Sequence, residues 1–333
     1  MSARAVVVFA ALAGTVAVAR AEPDPLPSWN EGAAKQAIAT FVRATTDRGS
    51  PTFVRPEERI ATFDQDGTLW VEHPLYTQAM FALDRVRALA PRHPGWKTTA
   101  PFRAVLAGDR AAIEAFGEHD WAEIIAATHA GVSIDAFRAL VEDWLAGARH
   151  PRWGRPYADL AYQPMVELMR LLRANGFRTY IVTGGGQEFV RAYAERVYGV
   201  QPDQVIGSSI LTRFEVEHGR PALMREPKVF FIDDHGGKPV GINLFIGRRP
   251  IAAFGNSDGD AEMLRWTQAG GGAHLMMLVH HDDAEREYVY GADTKVGTFS
   301  DALAAEARRS GWTVVSMKRD WKRIFAFKEI AGR

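Results

Sequence analysis

Arg59-Ile60-Ala61-Thr62-Phe63-Asp64-Gln65-Asp66-Gly67-Thr68-Leu69-Trp70 decides how the rest of the chain reads. Ile60 to Phe63 is a short apolar run of strand type. It stops at two carboxylates spaced i, i+2, followed by Gly and Thr. Side chains alternate along a strand, but a bend at Gly67 ends regular pairing just after the acids, so both can crowd one strand end. In an open α/β sheet that end is where ligands bind. Two acids held together repel unless a cation or a shared proton relieves them. The stretch therefore has two readings: a Mg²⁺-assisted nucleophilic site, or a strand ending in a solvated Asp-x-Asp-Gly turn.

The surrounding chain bounds the choice. Its 333 residues suffice for a large core or two domains. Lys+Arg and Asp+Glu both number 40, so nothing in the charge balance points to nucleic acid. With no cysteine, disulfides, thiolate metal sites and Cys nucleophiles are excluded. Met1 to Ala21 reads as a signal peptide: Arg4, a small-residue apolar core from Ala5 to Val18, then the small-x-small site Ala19-Arg20-Ala21. No later apolar run has membrane length. The expectation is a periplasmic or secreted mature chain without stable membrane insertion.

Asn30 to Thr46 carries a helical pattern with Asn30 as N-cap, and Asp47 to Glu58 is loop. From His73 to about Arg155 the pattern is helical with little strand signal, Ser133 capping the last segment. From Tyr157 helix and strand alternate. Strands are expected at Arg178–Val182, Val205–Leu211, Val229–Ile232, Ile251–Phe254, Leu275–Val279 and Trp312–Ser316. Helices are expected at Pro164–Asn175, Gln187–Tyr198, Pro239–Ile246 and Ser300–Arg309. This predicts an α/β fold: a doubly wound, mainly parallel Rossmann-like sheet with helices on both faces, plus an inserted all-helical cap. The core domain takes residues 22–72 and 156–333, and the cap takes 73–155.

Four polar signatures fall in order at strand ends or helix starts: Asp64/Asp66, Thr183, Lys238 and Asn256/Asp260. Right-handed crossovers put parallel strand C-termini on one edge, so these distant residues can converge. Their local sequences resemble the haloacid dehalogenase superfamily of phosphohydrolases. Asp64-Gln65-Asp66-Gly67-Thr68 matches its Asp-x-Asp-Gly-Thr motif, and Ile181-Val182-Thr183-Gly184 its strand ending in Ser or Thr. Lys238 matches its lone Lys, and Gly255-Asn256-Ser257-Asp258-Gly259-Asp260 approximates its Gly-Asp-(x)3-Asp. The helical insertion is similar to the cap of the phosphoserine phosphatase type.

The resemblance implies that Asp64 is a nucleophile forming an aspartyl-phosphate, and that Asp66 is general acid and then base. It implies that Thr183 and the turn beginning at Gly184 bind phosphate, that Lys238 neutralises charge, and that Mg²⁺ is held by Asp64, the Asp66 carbonyl, Asn256 and Asp260 through water. Lys238 is preferred to Lys228 because Pro239 suits a first helical position and Lys228 precedes a strand. Asn256 departs from the usual Asp, which weakens the metal site or brings in Asp258; Asn256→Asp is expected to tighten Mg²⁺. Asp66 favours phosphate esters, since a halide leaving group needs no proton. The expected activity is hydrolysis of small phosphate monoesters. The alternatives are an exported binding protein that keeps the pocket without turnover, and a phosphotransferase.

Other residues have blander readings. His280-His281-Asp282-Asp283 reads as a solvated loop, because adjacent strand residues point apart. It could also form part of the site wall. Glu72 and His73 lie where the chain enters the cap and could contact substrate. Arg149, His150, Arg152 and Arg155 read as a solvated hinge, and Trp70, Trp121, Trp144 and Trp153 as core packing.

Overall fold

Strand β1 (Ile60–Phe63) is buried at all four positions. Ala61 and Phe63 enter one apolar cluster and Ile60 another, as period-two alternation requires of a strand covered on both faces. A computed structural model of the chain describes residues 23–217 and 219–328, and the expected signal peptide lies outside them. The other described strands are β2 (Arg178–Gly186), β3 (Val205–Glu217), β4 (Arg220–Phe231), β5 (Ala252–Gly255), β6 (Leu275–His280) and β7 (Thr313–Ser316). They form one sheet in the order β4-β3-β2-β1-β5-β6-β7. Every pairing is parallel except β3 with β4. The chain builds one half outward through β2 and β3, then crosses back to β5, so β1 sits where the strand order reverses. That is the position at which open α/β sheets bind ligands.

Helix α1 (Ala33–Thr46) opens the described chain, and five helices follow β1: α2 (Thr77–Leu89), α3 (Phe102–Ala107), α4 (Arg110–Glu114), α5 (Glu118–His129) and α6 (Ile134–Gly147). The remainder are α7 (Gln163–Ala174), α8 (Gln187–Arg191), α9 (Ala194–Tyr198), α10 (Gly237–Phe245), α11 (Ala261–Gln268), α12 (Asp301–Ser310) and α13 (Met317–Asp320). Ile38 and Phe41 of α1, with Leu168 and Leu172 of α7, cover one face of the sheet. Ile242, Met263, Leu264 and Leu303 from α10, α11 and α12 cover the other. The inserted helices hold a small core of their own, with Ala82, Leu83, Val86, Phe102, Val105 and Ile124. Helix α6, capped by Ser133 Oγ at 3.2 Å from Ala136 N, buries Phe137, Val141 and Leu145 at i, i+4, i+8 in the main cluster.

Three local expectations change. Helix α1 starts at Ala33 behind Gly32, not at an Asn30 cap. Asn30 instead donates its N–H to Asp320 O (2.8 Å) and its side-chain amide to Arg319 O (2.6 Å). The expected helix 187–198 is two helices, because Tyr193 leaves helical geometry (φ −135°) and stacks on Trp70 at 4.5 Å. The polar stretch between Leu211 and Val229, for which the sequence offers a hairpin, is strand almost throughout: β3 and β4 extend well past the expected bounds into one long hairpin around Gly219 (φ +76°). Its polar outer residues hid the strand pattern.

The hairpin clasps the inserted helices. Arg225 exchanges backbone hydrogen bonds with Gly131 (2.8 Å) and Val132 (3.0 Å). Its Nε donates to His129 O at 2.8 Å, and its guanidinium lies 4.0 Å over the Phe137 ring.

Candidate active site

The C-terminal end of β1 delivers Asp64, whose N–H donates to Phe254 O of β5 at 2.9 Å. Lys238, near the start of α10, is buried and reaches both Asp64 Oδ1 (2.6 Å) and Asp260 Oδ1 (2.5 Å) with Nζ. Lys228, the other candidate, is exposed on β4. Burial favours the neutral amine of Lys238, but the Asp260 and Asp64 carboxylates outweigh it and hold the ammonium charged. Burial pushes the Asp64 carboxyl well above the usual carboxylate range, and Asp260 adds to this, with Lys238 opposing both.

Asp66 is half-buried and accepts from Trp70 Nε1 at 2.8 Å, an i, i+4 contact within the opening stretch. Burial raises its carboxyl to about 6, against the Trp70 hydrogen bond and the Lys238 charge. Thr183, at the end of the regular part of β2, accepts from Gly185 N at 3.0 Å, so its own hydroxyl hydrogen stays available to donate. A Cβ at Gly185 would lie 3.2 Å from Thr183 Oγ1 and 3.6 Å from Asp66 Oδ2. Glycine thus keeps clear the gap that these two oxygens face. The backbone cradle expected from Gly184 to Gly186 is narrower than its sequence suggests. The Gly185 N–H is taken by Thr183, and that of Gly186 by Gln78 Oε1 at 2.7 Å. Gln78, from α2, in turn donates to His129 Nε2 at 3.1 Å, tying the inserted helices to this turn.

Asp260, expected as a metal ligand through water, has both carboxyl oxygens engaged by the protein. Its Oδ1 accepts from Lys238, and its Oδ2 accepts from Asn256 N (2.9 Å) and Ser257 N (3.0 Å). It holds Lys238 and the loop after β5. Asp258 Oδ1 accepts from Ser300 N at 3.1 Å and so anchors the start of α12. Asn256 is buried, and its Oδ1 accepts from Thr68 Oγ1 at 3.1 Å; the same hydroxyl lies 3.2 Å from Asp64 Oδ2. Thr68 therefore brings the Asp64 and Asn256 oxygens side by side.

Several partners carried little signal in the sequence. Glu72 is buried, and its Oε1 accepts from Asn256 Nδ2 and from Tyr290 OH, both at 2.7 Å. Burial pushes its carboxyl well up. His281 is buried, not part of a solvated loop. Its Nε2 donates to the Gly67 carbonyl at 2.8 Å, its Nδ1 faces Glu287 Oε2 at 3.1 Å, and its ring stacks on Tyr290 at 4.2 Å. It forms a wall beneath the Asp64–Thr68 loop. His150 also leaves its expected solvated surface: it is buried and donates from Nε2 to His73 O at 2.8 Å. Trp70, Trp144 and Trp153 pack against the main core, as expected.

Among the described residues, no three His, Cys, Asp or Glu side chains are arranged to hold a metal. The donors expected here are of another kind: the Asp64 carboxylate, the Asp66 backbone carbonyl, the Asn256 amide oxygen and Asp260 through water, all hard oxygens of the type Mg²⁺ prefers. Lys238 pairs with Asp64 and Asp260, and Asp66 and Glu72 lie close enough to feel the Asp64 charge; that excess of acid suits a cation beside Asp64.

A family model for haloacid dehalogenase-like hydrolases matches residues 61–265. A search of curated proteins found no match. Among solved structures, a functionally unknown protein from Anaerococcus prevotii is 17% identical, with 85% of this chain and 91% of that one covered at a TM-score of 0.54. A protein of unknown function from Bordetella pertussis is 20% identical, with 78% and 98% covered at 0.47. A phosphoserine phosphohydrolase-like protein from Francisella tularensis is 12% identical, with 67% and 87% covered at 0.36. Of these three, only the Anaerococcus match is close enough to speak for a shared fold. With the family model spanning β1 through most of α11, the chain belongs to the haloacid dehalogenase-like hydrolases.

Proposed function

We propose that this protein is an exported, Mg²⁺-dependent phosphatase acting on small phosphate monoesters through an aspartyl-phosphate. One observation carries the reading: Asp64, paired with buried Lys238, lies at the strand end where Asp66 and Thr183 face a common gap over Gly185. In the first step an Asp64 oxygen attacks phosphorus, the ester P–O bond breaks, and Asp66 gives its proton to the leaving alcohol. In the second, water attacks phosphorus, its proton passes to Asp66, and the Asp64 carboxylate leaves with phosphate released. Thr183 donates to the transferring group, and Lys238 keeps charge from building on Asp64. Mg²⁺, held by Asp64, the Asp66 carbonyl and Asn256, would neutralise phosphoryl oxygens. Residues 73–155 would act as the cap that excludes bulk water from the gap.

The test is release of phenolate from p-nitrophenyl phosphate by the chain without Met1–Ala21, with Mg²⁺ and after chelation. Metal-independent release, or none, would reject the reading. Asp66→Asn should lower the rate for an alkyl phosphate by about 10²–10⁴-fold. It should lower the first step with p-nitrophenyl phosphate much less, because that leaving group needs little help from a proton. Equal losses on the two substrates in the rate of aspartyl-phosphate formation would remove Asp66 as the acid. Export rests on the Met1–Ala21 pattern. N-terminal sequencing of the protein from the periplasmic or secreted fraction should begin at Glu22, and an intact Met1 there would reject cleavage.

A further inference from the structure

A carboxylate oxygen can only accept a hydrogen bond, whereas the two ends of an Asn amide differ, one accepting and one donating. Glu72 Oε1 meets Asn256 Nδ2 at 2.7 Å, so the amide nitrogen is fixed toward Glu72 and the amide oxygen toward Thr68 and Asp64. Tyr290 OH donates to the same Glu72 oxygen at 2.7 Å, which locks the carboxyl in place. Two glycines clear the room for this pair. A Cβ at Gly67 (φ +75°) would lie 2.1 Å from Asn256 Nδ2 and 2.2 Å from Glu72 Oε1; one at Gly297 (φ +65°) would lie 2.0 Å from Glu72 Oε1. Both glycines also sit in backbone geometry that disfavours a side chain.

We infer that Glu72 is a positioning residue for the cation, aiming the Asn256 amide oxygen and supplying, one hydrogen bond further out, the acidic group that an Asp at 256 would have provided. The inference rests on the Mg²⁺ reading above. It also reverses the expectation that Asn256→Asp tightens Mg²⁺, because the new carboxylate would face Glu72 where the amide nitrogen now donates.

The experiment is isothermal titration of the full mature protein with Mg²⁺ alone, which needs no turnover. Glu72→Gln keeps an oxygen that accepts from Asn256 Nδ2 but removes the acidic group, and it should weaken binding about 10- to 100-fold, the range for changing an outer partner of a metal ligand. Asn256→Asp alone should not tighten binding. Glu72→Gln/Asn256→Asp should return the affinity to within about threefold of the parent, because Gln can donate to the new carboxylate. A misfolded Glu72→Gln protein would not be rescued by a second substitution, so recovery separates positioning from simple loss of structure. Unchanged affinity in Glu72→Gln, tighter binding in Asn256→Asp alone, or no recovery in the double variant would each overturn the inference, as would a parent protein that binds no Mg²⁺. A parent that binds Mg²⁺ with the expected pattern but hydrolyses no phosphate ester would instead reject the phosphatase reading and leave this inference standing.

Discussion

Asp64→Asn should abolish turnover of p-nitrophenyl phosphate, by ~10³-fold or more, while leaving the protein folded. The amide keeps the shape of the carboxyl and can still accept from Lys238 Nζ, now 2.6 Å from Asp64 Oδ1. What it lacks is the anionic oxygen that must form the bond to phosphorus. The substitution also removes a buried charge that Asp260 repels. Its thermal midpoint should therefore equal or exceed that of the parent, as happens when strained active-site groups are neutralised. Acid quench of the parent during turnover, followed by peptide mass spectrometry, should find a phosphoryl group on the peptide bearing Asp64 and none in the variant. Activity within tenfold of the parent, or a phosphoryl group elsewhere, would remove Asp64 as nucleophile. A binding protein without turnover would show neither activity nor the modified peptide in the parent.

The parts of the site that were legible in the sequence are those written locally. Asp64 and Asp66 follow an apolar run, Lys238 precedes a Pro suited to a helix start, and Asn256 follows the apolar β5. Strand or helix periodicity placed each of them, right-handed crossovers predicted their convergence, and the resemblance in motif order singled them out as a site. The contact of Trp70 with Asp66 was also within reach, because both lie in the opening stretch four residues apart. The partners that complete the site had no such signal. Glu72 and Asn256 are separated by 184 residues, and Glu72 and Tyr290 by 218. A single Glu past a strand reads the same whether it faces solvent or a buried amide. His281 was hidden differently: its neighbours His280, Asp282 and Asp283 give the segment a solvated composition, yet alternation at the end of β6 turns His281 inward to Gly67. The hairpin β3–β4 was truncated for a related reason. Its outer arms are polar where they leave the sheet, and the contacts that hold them belong to the inserted helices.

Lys238→Met tests the electrostatic balance of the site apart from its chemistry. Lys238 Nζ is the basic group hydrogen-bonded to both Asp64 and Asp260, and all three side chains are buried. Methionine keeps much of the apolar stem and fills similar space, so the change is mainly loss of the charge. Removing one partner of a buried ion pair costs about 3–5 kcal/mol, because the remaining charges stay desolvated without compensation. Denaturant unfolding at neutral pH in chelator should show a loss of that order, with activity gone. The deficit should shrink in acid. Without the ammonium, nothing opposes the upward push on the buried Asp64 carboxyl, so the folded variant binds a proton that the unfolded chain has already released. Its stability therefore rises, relative to the parent, as the pH falls. Saturating Mg²⁺ should recover part of the loss at neutral pH, since a cation that binds only the folded state stabilises it by mass action. A variant as stable as the parent at neutral pH would mean that Asp64 and Asp260 do not depend on Lys238. A deficit that stays constant from neutral pH into acid would mean that the lysine stabilises the fold by packing, not by its charge.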